Sequence, residues 1–120
     1  MKKTAMILGW ILLILGILGF ISNPLVGANG LFVTDGVHNL IHLITGAILL
    51  WAAYKAMGNA AMWLKVFGII YLLIAILGFF SSSVLGMVMN GADNWLHLIL
   101  AVIFLWVGFK KNGPAMAQTM

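Results

Sequence analysis

This chain has no cysteine, no arginine, two acidic residues and two prolines in 120 residues. Without Cys there are no disulfides, no thiolate metal sites and no Cys nucleophile. The two acids are Asp35 and Asp93. Lacking any Lys/Arg stripe, the chain offers nothing to neutralise a run of phosphates, so no nucleic acid is expected as a partner. Ser81-Ser82-Ser83 has no base or acid at a useful spacing, and an enzyme is not expected.

What the chain does have is apolar. Hydrophobic residues make up 64% and charged residues 7%, with a mean hydropathy of +1.17. A soluble domain this small has too much surface per unit volume to hide that content, so the lipid bilayer is the expected solvent. A hydrocarbon core of roughly 30 Å takes about 20 apolar residues per helix. Four such segments fit, at residues 4–22, 37–56, 63–83 and 94–110. The opening Met1-Lys2-Lys3 before an apolar run resembles a signal peptide. No small-x-small cleavage site follows, however, so residues 4–22 read as a retained helix.

The six basic residues are Lys2, Lys3, Lys55, Lys65, Lys110 and Lys111. In a four-pass chain they fall on one side and both acids on the other. The positive-inside rule then places both termini in the cytoplasm, and anionic lipid is a secondary partner for the Lys residues.

The string Asp35-Gly36-Val37-His38-Asn39-Leu40-Ile41-His42-Leu43 returns as Asn90-Gly91-Ala92-Asp93-Asn94-Trp95-Leu96-His97-Leu98. The preceding helices match too, with Gly9, Gly19 and Phe20 answering to Gly68, Gly78 and Phe79. The chain therefore reads as one transmembrane domain of two helical hairpins, repeat 1 over about 4–56 and repeat 2 over about 63–111, with a disordered tail at 112–120. Each unit crosses twice, so the repeats are parallel, related by an axis along the membrane normal. Small residues seven apart (Gly9/Gly16, Gly46/Ala53, Gly68/Ala75, Ala101/Gly108) provide close backbone approach where lipid gives little hydrophobic drive. The expected fold is all-α, an integral membrane four-helix bundle.

Asp35 and Asn90 suit helix N-caps, since their side chains can accept from the free amides of the first turn. Ser22-Asn23-Pro24 suits a helix stop. The outer loops, 23–35 and 84–92, are apolar enough to lie in the interface or fold back over the bundle. On a wheel of about 100° per residue, His38, Asn39, Thr45, Gly46 and Ala53 lie within about 60° of His42, and Trp51 lies opposite. Around His97, Asp93, Asn94, Ala101 and Gly108 share a face while Trp95 and Trp106 point away. Trp prefers the lipid boundary, so the His/Asn faces point inward. His42 and His97 sit about two turns beyond their caps, at equal depth, positioned to face one another.

Ionisable residues within a membrane are functional candidates by default. The candidate layer is His38, Asn39, His42, Asp93, Asn94 and His97. Its simplest role is hydrogen bonding between helices, with Asp93 and His97, spaced i and i+4, as an ion pair or orienting hydrogen bond. Sharper readings are a three-His, one-carboxylate metal site, a haem clamped by His42 and His97, or a bound quinone or lipid headgroup. Haem propionates favour nearby Lys or Arg, which the outer side lacks. Proton conduction is disfavoured because no polar chain continues to the cytoplasmic side. Met87 and Met89 near His97 raise copper, but Met as apolar filler is the simpler account.

The motif His38-Asn39-Leu40-Ile41-His42-Leu43-Ile44-Thr45-Gly46, after a loop ending Leu31-Phe32-Val33, resembles a family of small four-pass bacterial membrane proteins classed as a domain of unknown function. The resemblance runs from the first helix through the fourth and implies a bacterial inner-membrane location with no assigned activity. In the second copy Asp93 stands for the leading His and Ala101 for the Gly, so a strictly symmetric ligand site is not implied. The function expected is a non-enzymatic accessory or interaction subunit, in a homo-oligomer or larger membrane complex. The alternative is a metal-, haem- or quinone-binding redox protein using His42 and His97.

Overall fold

A computed structural model describes residues 2–55 and 59–110. The described chain is mostly helical. Its helices are α1 (Lys2–Leu18), α2 (Gly36–Tyr54), α3 (Ala60–Phe80) and α4 (Gly91–Phe109). The last three are long and apolar enough to cross a membrane. The tail at 112–120 lies outside the described residues.

Helices α1 and α2 pack as one antiparallel hairpin and α3 and α4 as another, with lighter contact of α3 on α2 and α1. Small residues set the closeness within each pair. A Cβ on Gly46 would come within 2.7 Å of the Gly9 carbonyl oxygen, and one on Gly68 within 3.1 Å of the Leu105 nitrogen. Backbones this near gain dispersion contacts that larger side chains would prevent. Leu12, Leu49, Leu64, Tyr71 and Phe104 fill the centre.

Helix ends differ from the sequence expectation by a few residues. The first helix stops at Leu18 rather than 22, because Asn23 gathers the chain into a knot. Its side-chain amide donates to the carbonyls of Leu18 (2.8 Å), Ile21 (2.6 Å) and Val26 (2.9 Å), while its oxygen accepts from the amides of Leu25 (2.9 Å) and Val26 (2.8 Å). Of these, the Leu18 carbonyl is one that the end of α1 leaves without an α-helical partner. At the other end, α3 begins three residues earlier than the apolar run, capped by Asn59, which accepts from the Met62 amide.

The outer loops are not purely irregular. Val26–Gly27 (β1) pairs in parallel with Phe32–Val33 (β2), and Ser83–Val84 (β3) pairs antiparallel with Met87–Val88 (β4). The second pair turns through Leu85 and Gly86, both at positive φ (52° and 81°), the signature of a two-residue hairpin turn whose twist suits its strands. Each loop leans on the other hairpin: β2 packs on α4, and β4 on α2.

Candidate functional site

Two helix starts build the site. At α2, Asp35 is the N-cap, its Oδ1 accepting from the His38 amide at 2.9 Å. At α4, Asn90 is the N-cap and Asp93, three residues on, completes a capping box. Asn90 Oδ1 accepts from the Asp93 amide (2.8 Å), and Asp93 Oδ2 accepts from the Asn90 amide (3.0 Å). The third helical position therefore serves differently in the two hairpins. Asp93 turns back to its own cap. His38, whose cap is complete without it, is left to project inward.

That difference decides which histidines meet. His38 Nε2 lies 3.2 Å from His97 Nε2, across the hairpins. The His38 and His42 rings are 4.4 Å apart between centroids, His38 and His97 5.1 Å, and His42 and His97 6.2 Å. Thus His97 meets His38 more closely than His42, the partner that equal depth suggested. The Asp93–His97 bond is also not formed, because the carboxylate is engaged at the Asn90 amide and His97 Nδ1 has no hydrogen-bond partner. All three rings are at least 96% buried, and the Nδ1 atoms of His38 and His42 are likewise without partners.

The two asparagines work within their own hairpins. Asn94 Nδ2 donates to the Gly78 carbonyl at 2.9 Å, one of the carbonyls in the last turn of α3 that lacks a helical partner. Asn39 packs its side chain directly over Gly19. Both contacts need a glycine opposite. Trp51, Trp95 and Trp106 point outward.

Several contributors escaped sequence reasoning. The Tyr71 hydroxyl donates to Thr45 Oγ1 at 3.2 Å, tying α3 to α2, and its ring stands edge-on to His97 at 5.6 Å. A hydroxyl in the middle of an otherwise apolar helix was the available signal, since it requires a partner when buried. Thr34 is buried with its Oγ1 unpartnered and lines a small cavity with His38, His42, Asp93 and His97. Met87, which the sequence placed near His97 as apolar filler, is buried beside the three histidines and Tyr71.

Across the mouth, Asp35 Oδ2 accepts from the Val88 amide (2.9 Å) and Asn90 Nδ2 donates to the Leu31 carbonyl (2.9 Å). Burial works against the Asp35 charge, but the amides of His38 and Val88 outweigh it and hold the carboxyl below the usual carboxylate range. Among the described residues, three of the four side-chain hydrogen bonds between the hairpins lie at this loop end, and the fourth, Tyr71 to Thr45, lies at mid-helix. The opposite end is joined by apolar packing of Leu8, Leu49, Ala53, Ala60 and Leu64.

Chemically, the cluster presents three imidazoles to one shared, enclosed space, with a carboxylate and a hydroxyl at its edge. Such a set can relay hydrogen bonds or ligate an ion. No curated protein and no solved structure matches the chain. A family described as Domain of unknown function (DUF4383) matches residues 2–110, a span that takes in all four helices and every residue of the site. The chain belongs to the DUF4383 family.

Proposed function

We propose that this is a four-pass integral membrane protein made of two parallel copies of a helical hairpin. It acts without catalysis, as an accessory or interaction subunit of a homo-oligomer or larger complex in the bacterial inner membrane. Both ends of the chain face the cytoplasm and the paired loops face outward, following the Lys distribution.

One observation carries the membrane reading: polarity is inverted. Inside are His38, Asn39, His42, Asp93, Asn94 and His97, while Ile14, Leu40, Ile44, Leu73, Val102 and Trp106 are exposed. In water that arrangement would leave far more apolar surface in contact with solvent than a monomer tolerates. In lipid it is the favourable one, because the costly groups are enclosed. Dimensions agree. Helices of 19 and 21 residues span about 28 and 31 Å at 1.5 Å per residue, against a hydrocarbon core of roughly 30 Å. The longest extent of the molecule, 46 Å, is close to the 40–45 Å of a bilayer with its headgroups.

The subunit role is supported by a polar layer whose bonds run between helices of this chain, His38 to His97 and Asn94 to the Gly78 carbonyl. Carbonate extraction followed by native mass spectrometry of polymer-excised membrane discs tests it. Retention in the membrane and a mass above one chain are expected. Release into the supernatant refutes the membrane reading, and a single-chain mass refutes the subunit reading. The redox or cofactor alternative draws its support from the histidine cluster alone.

A further inference from the structure

We propose that His38, His42 and His97 form a buried binding site for one borderline transition-metal ion of the Zn²⁺ class, which would clamp α2 to α4. The site stands on local geometry and does not depend on the accessory role.

Three observations converge. The first is donor geometry. One ligand atom from each of the three rings lies within 4.8 Å of the others, and His38 Nε2 and His97 Nε2 are 3.2 Å apart. A tetrahedral ion with metal–nitrogen bonds of about 2.0–2.1 Å sets its ligand atoms about 3.3–3.4 Å apart. That edge is therefore already at ligation distance, and His42, whose donor lies within 4.8 Å of the others, needs to close in by up to about 1.5 Å through side-chain rotation.

The second is unmet bonding capacity. A neutral imidazole carries one N–H and one lone pair. Among themselves the three rings make one hydrogen bond, His38 to His97, and all three Nδ1 atoms are buried without partners. Each unsatisfied buried group is costly. A single ion takes one lone pair from every ring. The freed N–H groups then need acceptors, and the adjoining cavity supplies two. Thr34 Oγ1 is itself unpartnered, and the Asp93 carboxylate lines the same space. Metal-bound histidines commonly donate to such groups.

The third is size and charge. The free volume beside Thr34, Asp93 and the rings is about 10 Å³, on the order of one water-sized species. Haem and quinone need pockets of roughly 300 Å³ or more, so the ligand class this space accepts is an ion. An all-imidazole donor set without thiolate suits borderline metals, and Asp93 adds a negative charge beside a dication held away from water.

The test uses the full chain, purified in detergent without a polyhistidine tag and stripped with chelator. All three histidines of the chain are in the cluster and there is no cysteine, so imidazole ligation reports on this site alone. Titration with Co²⁺ should give one equivalent of uptake with the visible d–d bands of four-coordinate cobalt. Zn²⁺ should bleach those bands and raise the unfolding temperature in proportion to log[Zn²⁺]. His97→Gln should abolish the bands. Asp93→Asn, which keeps an acceptor for the Asn90 amide and so its fold, should weaken binding by about 10–100-fold. Absent or sub-stoichiometric uptake by the wild type overturns the proposal. So does unchanged affinity in Asp93→Asn together with unchanged bands in a folded His97→Gln. If His97→Gln fails to fold, the wild-type stoichiometry and the Asp93→Asn titration decide.

Discussion

Replacing Gly78 by alanine isolates the close helix contact on which the polar layer rests. A Cβ there would overlap the Asn94 side-chain oxygen, so the amide must swing away and its 2.9 Å bond to the Gly78 carbonyl breaks. Overpacking of this kind costs about 1–3 kcal/mol. Leaving a buried carbonyl and amide without partners adds about 1–3 kcal/mol. Alanine returns up to about 1 kcal/mol of helix propensity, so the net loss lies between about 1 and 6 kcal/mol, centred near 3 kcal/mol. Gly91 provides the internal control. It is the first residue of α4 and nothing lies within 4 Å of a Cβ built on it, so Gly91→Ala should be neutral or stabilising by up to about 1 kcal/mol. Reversible unfolding in mixed micelles, followed by far-UV circular dichroism, measures both. A Gly78→Ala loss below about 1 kcal/mol, or equal losses at the two sites, would refute the reasoning.

Other consequences are as direct. Because the folded-state pKa of Asp35 is depressed, its contribution is complete above the unfolded value of about 3.9 and is lost as pH falls through the lower folded value. Loop-end amide exchange at Val88 should therefore speed up below about pH 4, and Asp35→Ala, which loses a cap worth about 1 kcal/mol, should flatten that response. Tyr71→Phe removes the bond to Thr45 Oγ1 and should cost about 0.5–1.5 kcal/mol. With Thr45→Val the double variant should cost less than the sum, and strict additivity would show that the two hydroxyls are not coupled.

How legible was this in the sequence? The helices follow from composition and length, and the inward faces from the 3.6-residue period, which sets His42 and Trp51 on opposite sides. The caps were visible because Asp35 and Asn90 are residue types whose side chains reach first-turn amides. Which histidines touch was not visible. That choice turns on whether the third helical residue folds back to its cap, as Asp93 does, or reaches across, as His38 does. Helical periodicity carries no information on it. Asn23 was read only as part of a stop signal, because its five hydrogen bonds depend on a loop path that no local pattern dictates. Tyr71 and Thr34 were missed for the same reason: their roles come from contacts 26 or more residues away or from tertiary enclosure.

The central claim is a membrane-spanning bundle with its polar layer under outward-facing loops. Having no native cysteine, the chain is a clean background for single-Cys labelling in intact cells. The exposed positions Asn29 and Ser82 are at the loop end and Lys55 at the other. With a membrane-impermeant maleimide, Asn29→Cys and Ser82→Cys should be labelled in intact cells and Lys55→Cys only after permeabilisation. Labelling of all three from outside, or of Lys55→Cys alone, would contradict the account.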